Sequence, residues 1–323
     1  MTTREKLLEL FESHKGCYFS GEEIARELCV SRAAVWKAVK SLRNEGYEID
    51  AVTNKGYCLS TGTDILSSCG IRRYLSLACQ DMEFVILNTA ESTNSLVREK
   101  ANQGALEGYT LISNEQTKGR GRYGRQFFSP EESGVYLSIL LRPSACSASL
   151  ALKFTTMAAV AMCEAIEEVS GESARIKWVN DIYVKGKKVC GILTEASLDL
   201  ESRMLEYAVL GVGVNVYPPQ GGFPEELLQI AGAIFDSTRQ DAKNQLVAAF
   251  ANHFMEYYRS DNSDYIEKYR NRNLVIGKTV VFRGDQQERS VTVRGIDEQC
   301  RLIVQDEKGE ISHLSYGEVD FTG

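Results

Sequence analysis

No apolar run in this sequence approaches the ~18 residues that a membrane-spanning helix needs. Residues 1–10 alternate charge with leucine and lack the apolar core of a signal peptide. These two absences predict a cytoplasmic protein with no membrane partner. Histidine is scarce as well: His14, His253 and His313 are scattered and unpaired, so a histidine-based triad or metal centre has almost nothing to work with, and no metal ligands are expected. His253 falls in the helical pattern of Leu246, Phe250, Phe254 and Tyr257 and reads as packing. The nine cysteines are an odd number with no Cys-x-x-Cys pair. They read as buried or idle thiols in a reducing compartment, not as a disulfide frame or a zinc site. An excess of positive charge is also missing, because 37 Lys plus Arg stand against 44 Asp plus Glu, net −7. A globally basic nucleic-acid coat is excluded, and any DNA binding must be local.

What is present is a globular composition, 43% hydrophobic and 25% charged over 323 residues. At about 150 residues per domain this predicts two or three units. Residues 1–62 hold nine cations and nine acids, which leaves 28 against 35 in the rest. Inside this neutral head, residues 21–28 read as a short helix with Ile24, Ala25 and Leu28 inward. Cys29 and Val30 make a tight turn, and Ser31 can cap a second helix from Arg32 to Asn44. That is helix-turn-helix spacing. At 100° per residue Ala34, Val35, Ala38, Val39 and Leu42 share one arc, while Arg32, Trp36, Lys40 and Arg43 gather on another. With Lys37 the helix carries four cations and no acid. Residues 47–52 and 56–59 alternate around Thr53-Asn54-Lys55 as a two-stranded wing. The candidate DNA contacts are therefore Ser31, Arg32, Trp36, Lys37, Lys40 and Arg43 in the major groove and Lys55 near phosphate. The alternative is a solvated charged face on a packing domain.

Residues 63–273 read as strands 84–87, 109–114 and 134–141, helices near 94–102 and 149–170, hairpin strands 182–184 and 188–196, a strand 207–216, and two helices near 241–258 and 263–271. Strands joined so closely must be antiparallel, so a mixed sheet is expected. Residues 274–323 change to short strands with turns at Gly284-Asp285, Asp297-Glu298 and Lys308-Gly309, the texture of a small SH3-like barrel.

Three clusters could carry chemistry. Gly119-Arg120-Gly121-Arg122-Tyr123-Gly124-Arg125 formally matches Gly-x-Gly-x-x-Gly, but Gln126 to Pro130 and another strand follow it. No helix N-terminus is available for a pyrophosphate, and the dinucleotide reading is rejected. Glycines between arginines instead let backbone fold over an anion while guanidinium forks bind phosphate or acyl phosphate, the alternative being a surface loop that happens to be basic. Ser92, Thr93 and Asn94 precede a helix and either cap it or hold a small neutral polar ring, with Gln116 adding an amide. Lys177, in Arg175-Ile176-Lys177-Trp178-Val179-Asn180-Asp181, shares a strand face with Arg175 and Val179. It is either an edge residue or a fixed cation for a developing oxyanion.

These clusters in this order, ESTN, QTKGRGRYGR, then KWVNDIYVKGKKVCGIL with GVGVNV, resemble the biotin–protein ligase family. With the winged head, the whole chain resembles its bifunctional ligase–repressor members. The resemblance implies a multidomain α+β protein: a winged helix-turn-helix (1–62), a mixed-sheet α/β ligase domain (63–273) and an SH3-like barrel (274–323). It implies an ATP-dependent, AMP-forming enzyme that makes biotinyl-AMP from biotin and MgATP and transfers biotin to a lysine of the biotin carboxyl carrier protein. Ser92, Thr93, Asn94, Gln116, Gly119, Arg120, Gly121, Arg122, Phe127 and Lys177 would bind biotin or adenylate, with Arg120, Arg122 and Lys177 in the chemistry. Biotinyl-AMP would act as corepressor for a homodimer on operator DNA. Three departures stand out: Val179 where many members have Pro, Phe127 where Trp often follows the loop, and Tyr123 where Arg is common. The competing readings are a lipoate ligase and a repressor that senses the vitamin without catalysis.

Overall fold

The computed structural model describes residues 1–143, 150–198, 205–260, 263–284 and 287–321. Cys146, one of the nine cysteines, Ser149 at the start of the expected 149–170 helix, and Asp285 of the expected turn lie outside the described residues. The chain forms two compact units, residues 1–76 with 237–248, and residues 77–236 with 249–323.

The first unit starts with helix α1 (Thr3–Ser13), closed at its N-terminus by a reciprocal Thr2–Glu5 capping box. A second capping box, Ser20 with Glu23, starts α2 (Gly21–Glu27). Ser31 Oγ accepts from the Ala34 N–H (3.2 Å) and starts α3 (Arg32–Asn44). Each cap satisfies backbone donors that the first helical turn leaves free. The arc of Val35, Ala38, Val39 and Leu42 packs with Leu7, Phe11, Ile24 and Leu59 into one core. Strands β1 (Ile49–Val52) and β2 (Gly56–Leu59) pair antiparallel as the expected hairpin. Helix α1 went unread because its Leu7, Leu8, Leu10 and Phe11 stripe is short. A small helix, α4 (Ser68–Arg72), completes this stretch.

The second unit contains a seven-stranded sheet in the order β3-β4-β5-β9-β8-β7-β6. These are β3 (Glu83–Ala90), β4 (Tyr109–Gln116), β5 (Gly134–Leu141), β6 (Ala174–Lys177), β7 (Asp181–Val184), β8 (Lys187–Leu198) and β9 (Leu205–Asn215). Helix α5 (Thr93–Asn102) connects β3 to β4, and only that pair is parallel, so the sheet is mixed. Helix α6 (Leu150–Ser170) presents Ala158, Ala159, Ala161 and Ala165, all fully buried, which lets it lie close to the sheet. Helices α7 (Ala242–Arg259) and α8 (Asp264–Arg272) follow. His253 is not core packing: it is half-buried, with Nε2 2.9 Å from Glu168 Oε2, because position 253 falls at the margin of the apolar stripe. The eight described cysteines are free thiols, five of them buried.

Residues 279–321 form a separate antiparallel sheet, β13-β12-β11-β10-β14, from β10 (Thr279–Gly284), β11 (Gln287–Ile296), β12 (Leu302–Gln305), β13 (Ile311–Leu314) and β14 (Glu318–Phe321). Its end strands β13 and β14 are not paired with each other among the described residues, so the sheet is open in its hydrogen bonding. Among the described residues no helix is long and apolar enough to cross a membrane.

Candidate functional site

Two of the three sequence clusters, with Asn180 and Asp181 from the third, meet over the glycine-rich middle of β8 and β9. A cavity of about 270 Å³ is lined by Ser92, Thr93 and Asn94 from the start of α5, Gln116 from β4, and Arg120, Gly121, Arg122 and Phe127 from the arginine loop. Its floor is bare backbone. A Cβ at Gly211 would stand 2.1 Å from Asn94 Oδ1, and one at Gly213 would stand 2.6 Å from the Phe127 ring. The glycines therefore make room for an amide and an aromatic ring laid against the sheet. Phe127 is held edge-on by Tyr136, with centroids 6.3 Å apart.

The 92–94 segment is not spent on capping. Ser92 occupies the N-cap position, yet no side-chain cap bond is made. Gln116 Oε1 instead accepts from the Thr93 N–H (2.9 Å) and hydroxyl (3.1 Å), and Gln116 Nε2 donates to Ser129 Oγ (3.1 Å). Ser138 Oγ lies 2.8 Å from Thr93 Oγ1 and donates to Asn94 Oδ1 (2.6 Å), while Asn94 Nδ2 donates to Glu195 Oε2 (2.8 Å). Thr93, Asn94 and Ser138 are all buried. A fixed network of this kind presents hydroxyls and amides with set directions, which suits a neutral polar ring.

Three of the four cations that line the cavity have a carboxylate. Arg120 pairs with Glu195 (3.0 Å), Arg125 with Glu318 (2.5 Å) and Lys188 with Asp181 (2.6 Å). Arg122 Nη1 donates to the neutral Asn180 Oδ1 (3.2 Å). Lys177, however, does not line the cavity. Its Nζ sits 2.7 Å from Asp320 Oδ1 on β14, and Arg283 donates to the other Asp320 oxygen. Burial pushes the Asp320 carboxyl up, but the bonds and charges of Lys177 and Arg283 outweigh it and hold it below the usual carboxylate range. The strand reading around Lys177 also needs correction. β6 ends at Lys177, a cis peptide joins Trp178 to Val179, and Val179 is 4% exposed instead of sharing a face with Lys177 and Arg175. Gly119 stands behind the wall, where a Cβ would meet the Phe127 carbonyl at 2.4 Å. Cys190 does line the cavity, but burial pushes its thiol well above the usual value. It is a neutral wall residue with no nucleophilic character.

Sequence reasoning missed several members. Lys188 and Glu195 were visible as charges inside an apolar strand, and Phe223, Leu227 and Ile230, which also line the cavity, as apolar side chains in a Pro- and Gly-rich loop. Ser129, Ser138, Glu318 and Asp320 had no local signal.

On the first unit, Arg32, Trp36, Lys37, Lys40 and Lys55 are all exposed. Arg43 is used differently: its guanidinium donates to the Ile49 carbonyl (3.0 Å) and ties the end of α3 to the hairpin. The Ser31 hydroxyl is engaged as the cap of α3.

Comparison with known proteins bears on both regions. Residues 87–215 match the Biotin/lipoate A/B protein ligase family, residues 3–58 an HTH domain family, and residues 275–322 the Biotin protein ligase C terminal domain. The chain is 33% identical to the bifunctional ligase/repressor BirA of Bacillus subtilis (strain 168), over 95% of each chain. This chain belongs to the biotin protein ligase family. A second member, the bifunctional ligase/repressor BirA of Escherichia coli (strain K12), is 28% identical over 97% of this chain and 95% of its own. Among solved structures, the biotin protein ligase from Aquifex aeolicus in complex with biotin and ATP aligns at TM-score 0.61 and 26% identity, covering 74% of this chain and 97% of that one. Within this ligase family frame, the 92–94 network, the arginine loop and the β8–β9 floor all fall inside residues 87–215.

Proposed function

We propose that this ligase activates biotin with MgATP and transfers it to a lysine of the biotin carboxyl carrier protein, and that it also represses transcription from operator DNA. The biotin carboxylate attacks the ATP α-phosphorus, displacing pyrophosphate and forming biotinyl-AMP. The carrier's lysine amine then attacks the acyl carbon, forming the amide and releasing AMP. No covalent bond to the enzyme forms in either step. The observation that carries this reading is the convergence of the 92–94/116 polar network and the arginine loop on one cavity.

Thr93, Asn94, Gln116 and Ser92 would hold the ureido ring and its surroundings, with the Phe127 face as the apolar wall. Bringing a carboxylate against a triphosphate sets anion against anion, and cations must offset that repulsion. Arg120 and Arg122 stand in the cavity for this purpose. Lys177 would join them by exchanging Asp320 for the forming adenylate. Phe223, Leu227 and Ile230 supply apolar surface suited to a purine face. Magnesium enters as part of the MgATP substrate.

In the same proposal residues 1–62 are the DNA-binding domain, 63–273 the catalytic domain and 274–323 a C-terminal SH3-like domain. The protein works in the cytoplasm, and biotinyl-AMP promotes a homodimer that binds the operator. The retained Arg120, Arg122 and Lys177 favour this over a sensor without catalysis.

The test is mass spectrometry of a carrier biotinyl domain incubated with enzyme, biotin and MgATP, with lipoate in parallel. A biotin-sized gain that requires ATP is expected. A gain with lipoate alone would shift the assignment to a lipoate ligase, and no gain with either acid would leave a sensing repressor. A gel shift on a palindromic operator, with and without biotin and ATP, tests the second activity. An unchanged shift would remove biotinyl-AMP as corepressor.

A further inference from the structure

The chain has two tryptophans, and the fold treats them in opposite ways. Trp178 is 3% exposed, and its indole Nε1 donates to the Cys300 carbonyl (3.3 Å). Trp36 is 54% exposed, on α3 outside the arc of Val35, Ala38, Val39 and Leu42. It adds nothing to the core of the first unit, and leaving an indole in water forgoes burial that would stabilise the fold. The contact the fold provides is a cation: Lys40 Nζ lies 5.3 Å from the ring centroid. One turn before Trp36 is Arg32, and next to it is Lys37. A second exposed pair of the same kind lies on this unit, Lys55 of the wing turn with its Nζ 5.7 Å from the ring of Tyr18.

The indole has a single N–H donor and an otherwise apolar face that cannot bind phosphate, so most of Trp36 lies outside the sequence-independent footing that the cations provide. In the major groove, the group an apolar side chain can read is the C5 methyl of thymine. We propose that Trp36 is a specificity-determining residue of the DNA interface: its indole packs on a thymine methyl while Arg32, Lys37 and Lys40 stand at the flanking phosphates. The stacking of Lys40 on the ring limits the directions the ammonium samples and keeps the indole from collapsing onto the helix. The occupant is a polyanion, not an apolar protein surface, because α3 surrounds the indole with cations and has no acid. This inference rests on the DNA-binding reading of the first unit, and its test separates the two.

Full-length protein with biotin and MgATP is used to select duplexes from a random pool. Each thymine of the selected site is then replaced singly by deoxyuridine, which removes the methyl and nothing else. For the wild type, one or two positions per half-site should weaken binding about fourfold, the effect of one buried methyl group. The same positions should have no effect on Trp36→Ala. A thermal melt checks that this variant stays folded, as expected for an exposed site. Trp36 emission should also lose its quenching by iodide when operator is added, since Trp178 is buried already. If duplex binds yet the emission stays equally open to iodide and no deoxyuridine distinguishes the two proteins, the proposal is overturned and DNA binding stands. If Trp36→Ala abolishes dimerisation but keeps the deoxyuridine pattern, the indole belongs to a protein contact and the proposal is likewise overturned. If no duplex is selected, the DNA-binding reading fails and takes the proposal with it.

Discussion

Two regions of this molecule concentrate positive charge, and they neutralise it in opposite ways. On α3 and the wing, Arg32, Lys37, Lys40 and Lys55 are exposed and form no ion pair among the described residues. In and beside the cavity, Arg120, Arg125, Lys177 and Lys188 are each held by a carboxylate at 2.5 to 3.0 Å. The difference follows from solvent. An exposed cation is screened by water and salt and needs no internal partner. Lys177 and Lys188, 16% and 29% exposed at their side chains, are expensive unless paired, whereas Arg120 and Arg125 are themselves exposed and their pairs are easily exchanged. A polyanion can therefore settle on α3 without displacing anything that belongs to the protein. A ligand anion in the cavity can meet Arg122, whose partner Asn180 is neutral, but has to take the other cations from Glu195, Glu318, Asp181 or Asp320.

The largest expected effect tests whether one of these held cations is held in reserve for chemistry. Lys177→Ala should lower ATP–pyrophosphate exchange at least about a hundredfold, the usual cost of deleting one donor aimed at developing charge. Folding should survive, because Lys177 is at a strand end and loses only its pair with Asp320 and its cation–π contact with Phe321. Exchange within a fewfold of wild type would make the pair purely structural and erase the contrast. Next in size is a change that leaves every charge alone. Gly213→Ala places a methyl 2.6 Å from the Phe127 ring, and since Phe127 is wedged between the floor and Tyr136, the ring must move. A fall of about tenfold in kcat/KM for the acid substrate is expected, the lower end of what one pocket methylene is worth in discrimination. At biotin and MgATP levels that still fill the site with biotinyl-AMP, DNA binding by the first unit should not respond.

The exposed set predicts a different signature. Arg32→Ala and Lys37→Ala should each weaken binding nearly uniformly across duplex sequences and reduce the salt slope of log K by about one. Trp36→Ala should instead change which sequences are preferred. Adenylation should vary far less with salt than DNA binding does, because exchange of one internal counterion for a ligand anion leaves the number of released solvent ions small. Equal salt slopes for the two activities would break the comparison.

How much of this was legible in the sequence depends on whether the information was local. The helix-turn-helix could be read because Ser31, the arc of Val35, Ala38, Val39 and Leu42, and the four cations all lie within one helix length. The bounds of β5 were read correctly because eight consecutive buried residues end abruptly at Leu141. The arginine loop and the 92–94 cluster were visible as composition, but the reason they meet was not: Gly211 and Gly213 clear the floor on a strand about a hundred residues later. The strand face around Lys177 was misjudged for a similar reason. Strand alternation was extended through Val179, whereas β6 stops at Lys177 and Val179 turns inward. The counterion on β14 was invisible because a four-residue strand with one buried side chain, Val319, has no readable period.

That unread counterion gives the smallest of the expected effects and the sharpest test of exchange. Asp320→Asn keeps the shape of the side chain and removes the charge that competes with ligand for Lys177. If holding is a cost to be overcome, the variant should bind ATP more tightly, with KM for ATP lower by about two- to fivefold. That is the size set by a partly exposed ion pair worth about 0.5–1 kcal/mol, Asp320 being 43% exposed at its side chain. Arg283 keeps its second partner, Glu288 (2.8 Å), so the C-terminal sheet should not loosen. If Asp320 instead aims Lys177 at its task, the KM for ATP should stay put while kcat falls. The split between the two constants thus decides whether this site stores its cations or steers them, a distinction that cannot arise on α3, where no carboxylate stands opposite the cations.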